Sequence, residues 1–234
     1  LGCDSATQVQ GRQQNGQIAV LKVYQNAKKL FQLEDLPIGI LTYGIGNLGI
    51  KSIRTILREF SNKHKYSGKK DYTVEKISNT LLKFVQTFYN KEFPNQSSQP
   101  TPLLGMYIAG YSPDKPIGEE WEFCFPKDTK AKPARKEDDL GASWRGLALP
   151  FSRLYFGYDN RIPDELQKEG VNGDLLTSVF SKFQTKVIYP GMPLKDAVNF
   201  CRFILNTTIG SNSCEIGAPQ CSEPTQVALI ADGK

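Results

Sequence analysis

The chain is poor in the residues that hold metals and covalent staples. Its 234 residues include one histidine, His64, and no Cys-x-x-Cys pair, so a zinc or other metal site is not expected from its donors. The five cysteines, Cys3, Cys124, Cys201, Cys214 and Cys221, are odd in number and lack close pairs, which argues against a disulfide framework. Cys214 and Cys221 could form one local bridge, but reduced thiols in a cytoplasmic protein are the expectation. Cys124 and Cys201 fall at apolar or near-apolar positions and read as core. No apolar run approaches the ~20 residues of a membrane-spanning helix, and no charged-then-apolar leader opens the sequence, so no membrane partner is expected. No internal repeat of solenoid length is visible.

What is present suits an ordinary globular protein. Apolar residues make up 39% of the chain, enough for a sizeable core in one domain over 1–234. The formal net charge is +5. Much of it sits in two patches, Lys63-His64-Lys65 with Lys69-Lys70, and Lys127 to Lys136 with four lysines and one arginine. Both read as solvated loops. No aromatic residues alternate with these lysines, as a single-strand-binding platform would favour, so nucleic acid is not an expected partner.

Residues 1–6 read as the end of a buried strand, and the glutamine- and glycine-rich residues 8–17 as an exposed loop. Ile18 to Tyr24 reads as a strand. Lys29 to Leu33 and Ile38 to Tyr43 read as a strand pair joined at Glu34-Asp35-Leu36-Pro37. After a glycine-rich break at Gly44 to Asn47, apolar residues at Leu48, Ile53, Ile56, Leu57 and Phe60 predict a helix. A second helix starts after Asp71 or Thr73, either of which can cap it. Its stripe is Val74, Ile77, Leu81, Phe84, Val85 and Phe88. Leu103 to Gly110 has the continuous small and apolar character of a strand covered on both faces. Glu120 to Phe125 alternates, with Trp121, Phe123 and Phe125 on one side. Residues 126–139 are polar and basic and are expected to form a flexible insertion.

Beyond it, Ser143 to Leu149 suggests another strand, and Phe151 to Tyr158 a helix or irregular turn. Leu175, Leu176, Val179, Phe180 and Phe183 form one helical stripe. Leu194, Ala197, Val198, Cys201 and Leu205 form another, after Pro193. Gln226 to Ile230 reads as a closing strand. Strands and helices come in blocks, which favours layered α+β packing over a Rossmann-type sheet. Two antiparallel sheets face to face, each covered by a helix pair, would use every stripe.

Three segments, in order, carry a family resemblance: Leu1-Gly2-Cys3-Asp4-Ser5-Ala6-Thr7, Asn26-Ala27-Lys28-Lys29-Leu30-Phe31-Gln32-Leu33, and Thr42-Tyr43-Gly44-Ile45-Gly46-Asn47. Cys3-Asp4-Ser5 is similar to the "Ala-Asp-Ser/Gly" strand end of proteasome β-type subunits. Lys28-Lys29-Leu30 is similar to that family's lysine strand, and Gly44-Ile45-Gly46 to its glycine-rich turn before the first helix. The chain resembles this family of N-terminal nucleophile (Ntn) hydrolases, whose bacterial members include the two-ring heat-shock protease and the ancestral β-type subunits. The likeness is closest over 1–7, 26–47, 72–89, 103–114 and 193–230. Ser211-Asn212 with Ile216-Gly217-Ala218-Pro219 resembles the ancestral β-type pattern.

The resemblance implies a four-layer αββα sandwich, here without its first strand. It also implies a cytoplasmic, homo-oligomeric ring, peptide or unfolded-protein substrates, an ATPase partner and no cofactor. It further implies a threonine-type peptidase whose nucleophile lies upstream of residue 1, with that residue's free α-amine as base. By correspondence Lys29 favours the alkoxide and keeps the amine neutral. Asp4 pairs with Lys29, the backbone N–H of Gly44 faces the oxyanion, and Thr7 hydrogen-bonds substrate backbone at the cleft edge. The sequence departs from the pattern in its longer Asp4-to-Lys29 interval and its extra basic loop. Ser211 and Ser222 are candidates for accessory groups. If Lys28 rather than Lys29 points inward, every face assignment in that strand reverses. Two other readings remain, a non-catalytic structural subunit and an Ntn amidase acting on small-molecule amides.

Overall fold

The structure, a computed structural model, describes residues 1–12, 18–66, 71–94, 101–113, 115–136, 139–182 and 187–230. Residues 13–17 of the glutamine-rich stretch, Lys69, Lys70, residues 137–138 of the expected insertion and Phe183 lie outside the described residues. In chain order the strands are β1 (Gly2–Cys3), β2 (Thr7–Arg12), β3 (Ile18–Tyr24), β4 (Leu30–Gln32), β5 (Ile38–Gly44), β6 (Asn47–Leu48) and β7 (Lys51–Ser52). Helices α1 (Ile53–Lys63) and α2 (Val74–Glu92) follow, then β8 (Leu104–Gly110), β9 (Glu119–Phe125) and β10 (Lys132–Pro133). The chain continues through α3 (Leu149–Phe156), α4 (Ile162–Lys168), α5 (Gly173–Ser181) and α6 (Leu194–Ser213) to β11 (Gln226–Val227).

This is an α+β arrangement of antiparallel strands. Its main sheet has the order β10-β9-β8-β5-β4. Side chains alternate across each strand, so Ile38 and Ile40 of β5, Leu104, Met106 and Ile108 of β8, and Phe123 and Phe125 of β9 share one buried face. Both amphipathic helices lie on it. α1 contributes Ile53, Ile56, Leu57 and Phe60, and α2 contributes Val74, Ile77, Leu81, Leu82, Val85 and Tyr89. The expected α2 residues Phe84 and Phe88 sit at the margin, half-buried.

Local chemistry starts both helices where the pattern required. The Ser52 hydroxyl accepts from the backbone N–H of Thr55, and the Thr73 hydroxyl from that of Lys76, each cap stabilising its helix by about 1 kcal/mol. Thr73, not Asp71, is therefore the cap of α2. Leu48 lies in β6 rather than in α1, because the chain makes a short β6–β7 turn before the helix begins.

The second face of the sheet meets the small β1–β11 pair. A methyl group added to Gly39 would stand 2.5 Å from Leu1 Cδ1 and 3.0 Å from Ile230 Cδ1. The far side of β1 meets α6, since a methyl group on Gly2 would stand 2.5 Å from Cys201 Sγ and 3.0 Å from Leu205 Cδ1. These glycines let neighbouring backbone and side chains approach closely.

Several expectations are corrected. Residues 8–12, expected in a loop, belong instead to β2, which pairs antiparallel with β3 with an irregularity between Val9 and Gln10. The expected insertion at 126–139 contains β10, which adds an edge strand to β9 through the pairs Lys132–Glu122 and Pro133–Trp121. Its charge is anchored as well, by Lys132 to Asp128 at 3.5 Å and Arg135 to Glu120 at 3.0 Å. Ser143 to Leu149 forms no strand; its polar groups are used by side-chain bonds instead, described below. In α5 only Leu176 is buried, while Leu175 and Val179 are exposed, because α5 packs against α4 and not under the sheet. His64 is not simply in a polar loop, since its ring lies 4.9 Å from that of Phe60. Among the described residues no helix is long and apolar enough to cross a membrane.

Phe60 is fully buried and packs on Phe84 at 5.5 Å between ring centroids. Phe60→Ala is expected to lower stability by about 3–5 kcal/mol. Ile50→Ala, at a fully exposed turn position, should change it by less than about 0.5 kcal/mol. Urea denaturation of the two variants checks the contrast.

Candidate functional site

Asp4 directly follows β1, and Lys29 directly precedes β4. Both therefore sit at strand ends, where the backbone is fixed but the side chain can reach into open space. Lys29 Nζ donates to Asp4 Oδ1 at 2.8 Å and Oδ2 at 3.0 Å. Their side chains are 22% and 17% exposed, so the pair is shielded from water without being sealed. Asp4 Oδ2 also accepts from the backbone N–H of Ala6 at 2.7 Å, which fixes the carboxylate rotamer. Lys28 is exposed, which settles the register in favour of Lys29.

A hydrogen-bonded clamp holds the two strand ends together. The Ala27 N–H donates to the Ser5 carbonyl at 3.0 Å and the Ser5 N–H to the Ser222 carbonyl at 3.2 Å. The Ser5 hydroxyl donates to the Pro224 carbonyl at 2.5 Å. Gln226 Nε2 then donates to both Ser5 Oγ at 2.9 Å and the Ala27 carbonyl at 2.8 Å. Ser5 is almost fully buried, so losing these partners would leave polar groups unpaired away from water.

The other expected residues line the same cleft, which has a volume of about 1360 Å³. Gly44 ends β5 with φ at +90°, and a Cβ there would lie 2.1 Å from the Leu103 carbonyl oxygen. Only glycine fits this turn. The next N–H, of Ile45, donates to that same carbonyl at 2.9 Å. Thr7 opens β2, with Oγ1 3.5 Å from where a Cβ on Gly46 would stand. Asp4, Lys29, Thr7 and Gly44 are thus brought together.

Three features escaped the sequence reading. Cys3 and Cys221 are buried and line the cleft beside the ion pair. Burial pushes the Cys221 thiol up to about 12 and the Cys3 thiol up to about 11; Asp4 adds to both rises and Lys29 opposes them. Both stay protonated at neutral pH, so neither is a ready nucleophile. Asn212 is the second feature. Its Oδ1 accepts from the N–H groups of Gln220 at 2.7 Å and Cys221 at 2.9 Å, holding the loop that forms one cleft wall. The sequence marked Asn212 only as part of the Ser211-Asn212 and Ile216-Gly217-Ala218-Pro219 resemblance, with no sign of this bond. Ser222, a candidate accessory residue, is buried, and its hydroxyl has no hydrogen-bond partner among the described residues. Ser211 does not line the cleft.

The third feature is the strap 140–148, all of which lines the cleft. Arg145 Nε donates to Glu122 Oε2 at 2.6 Å, Trp144 Nε1 to Ser152 Oγ at 2.7 Å, and Arg135 to Ser143 Oγ at 2.9 Å. The Trp144 ring also stands edge-on to Phe151 at 4.8 Å and Tyr155 at 5.0 Å. These side-chain bonds replace the ladder that a strand would have used.

All five cysteines are unpaired, so the local Cys214–Cys221 bridge does not form. Cys124 and Cys201 are half-buried rather than fully in the core. No group of residues suited to hold a metal ion occurs among the described residues. Comparison of the chain with protein-family models, with curated proteins and with solved structures gave no match.

Gly44→Ala should destabilise by about 1–3 kcal/mol more than Gly157→Ala. Both positions have positive φ, but Gly157 has open space around it, so the difference in thermal unfolding isolates the Leu103 clash. With a thiol reagent at about pH 8, exposed Cys214 should react first, and Cys3 and Cys221 only on the timescale of unfolding. Mass mapping of the labelled peptides checks the order.

Proposed function

We propose that this chain is the peptidase-type subunit of a proteasome-like Ntn hydrolase. The observation that carries the reading is the direct contact of Asp4 with Lys29, from segments 25 residues apart, in a cleft shared with Gly44 and Thr7. In this reading the stacking of α1 and α2, the main sheet, the β1–β11 pair and α6 is an αββα sandwich. A further strand, preceding residue 1 and beginning with a threonine, runs beside β1.

The division of labour follows from charge. The threonine hydroxyl attacks a peptide carbonyl while its own α-amine takes the proton. The Lys29 ammonium stabilises the alkoxide and, as a nearby like charge, keeps the amine neutral. Asp4 orients Lys29 and offsets the cost of shielding its charge from water. The backbone N–H of Gly44 faces the developing oxyanion, and Thr7 holds the substrate backbone. Burial keeps the Cys3 and Cys221 thiols protonated, so in this reading neither is the nucleophile.

Exposed apolar side chains such as Leu154, Leu175, Leu194 and Phe203 suit contacts between copies in a ring. The unpaired cysteines suit a cytoplasmic location.

The test uses the complete protein. Mass spectrometry of its mature end should find Thr, or Ser or Cys in its place, at the start of the strand before residue 1. Lys29→Ala should lower hydrolysis of fluorogenic peptides by roughly a hundred- to ten-thousand-fold, with the fold retained in thermal unfolding. Activity on small amides alone would transfer the assignment to an amidase. A mature end without a nucleophile, or Lys29→Ala with unchanged peptidase activity, would remove the catalytic reading.

A further inference from the structure

The charges that line the cleft are unequally matched. Four cations, Lys28, Lys29, Arg54 and Arg145, and two carboxylates, Asp4 and Glu120, face it. Each carboxylate is already taken. Asp4 holds Lys29 through both oxygens. Glu120 Oε2 accepts from Arg135 at 3.1 Å and from the Tyr107 hydroxyl at 2.5 Å. Arg145 is likewise matched, by Glu122 from the sheet below.

Lys28 and Arg54 remain. Both are exposed, and neither has an ion pair among the described residues. Both line the cleft that holds the ion pair. Lys28 is the chain neighbour of Lys29. Arg54 follows Ile53, whose N–H donates to the Gly46 carbonyl at 2.9 Å, so it is tied to the glycine turn that begins at Gly44. α1 carries no acidic residue in its first turn to offset Arg54.

We propose that Lys28 and Arg54 select acidic peptides, binding their carboxylate side chains along the cleft. This deepens the peptide-hydrolase reading and rests on it for the identity of the substrate as a peptide. Two cations without a carboxylate partner among the described residues give the cleft a positive potential that favours an anionic ligand and weakens with salt. The apolar and aromatic part of the wall, Trp144, Phe151 and Phe200, can bury the apolar side chains of a peptide.

The experiment measures binding and cleavage separately on the complete protein. Fluorescently labelled peptides of one length carry Glu, Gln or Lys on both sides of a common central residue. Anisotropy gives their affinities at about 0.05 M and about 0.5 M salt, which brackets strong and weak screening. The Glu peptide should bind at least roughly tenfold more tightly than the Lys peptide at low salt, with the gap closing at high salt. Lys28→Glu with Arg54→Glu should reverse the order. Both sites are exposed and have no ion pair among the described residues, and circular dichroism verifies that the double variant is folded.

Equal affinities for the three peptides, no measurable binding of the Glu peptide, or a preference that survives the double substitution overturns the proposal. A single-stranded oligonucleotide that displaces the Glu peptide at equal concentration also overturns it, in favour of unselective polyanion binding. Cleavage of the same peptides is read in parallel. Charge-selective binding with no cleavage supports this inference while sinking the hydrolase reading, and charge-blind binding with cleavage does the opposite.

Discussion

A lysine ammonium shielded from most of its solvent needs a fixed counter-charge, because removing an ion from water costs several kcal/mol unless something replaces the hydration. Lys29 meets this need through both oxygens of Asp4. Asp4 in turn is fixed by the Ala6 N–H. The contact constrains much else in the molecule. It requires the end of β1 and the start of β4 to lie side by side, although β1 belongs to a small two-stranded sheet and β4 to the edge of the main one. The Ser5, Ala27 and Gln226 bonds are the means by which two separate sheets hold that spacing.

The main sheet supplies rigidity on the other side. β8 is buried along its length and pairs with β5 through Gly44. The turn at Gly44 is thus an extension of the best-packed part of the core rather than a mobile loop. A chemical site needs its groups held within a fraction of an ångström. Here one wall hangs from the sheet and the other from the Asn212 loop at the end of α6, and the ion pair lies between them.

The parts legible in the sequence were those governed by period and by local caps. The stripes of α1 and α2, the buried run of β8 and the β4–β5 pair follow from burial on one or both faces, which repeats along the chain. Asp4, Lys29, Thr7 and Gly44 were singled out in three short segments by a resemblance, and all four line one cleft. Ser143 to Leu149, expected as a strand, falls largely in the strap 140–148, and the side-chain bonds that hold it, Trp144 to Ser152 and Arg145 to Glu122, follow no period along the chain. The 126–139 segment was misread for a related reason. A basic stretch looks solvated until its acidic partners, Glu120, Glu122 and Asp128, are known to lie beside it. Asn212 and Cys221 act through one backbone loop, and such bonds leave no periodic trace.

The clamp also sets a timetable. Asp4 and Lys29 emerge among the first thirty residues of this sequence, yet Ser222, Pro224 and Gln226, which hold them in register, are made some two hundred positions later. A ribosome delivers those partners well after the pair. Throughout that interval the nascent polypeptide carries both charged groups without the means to align them, and the arrangement is completed only when the later segment folds back onto the earlier one.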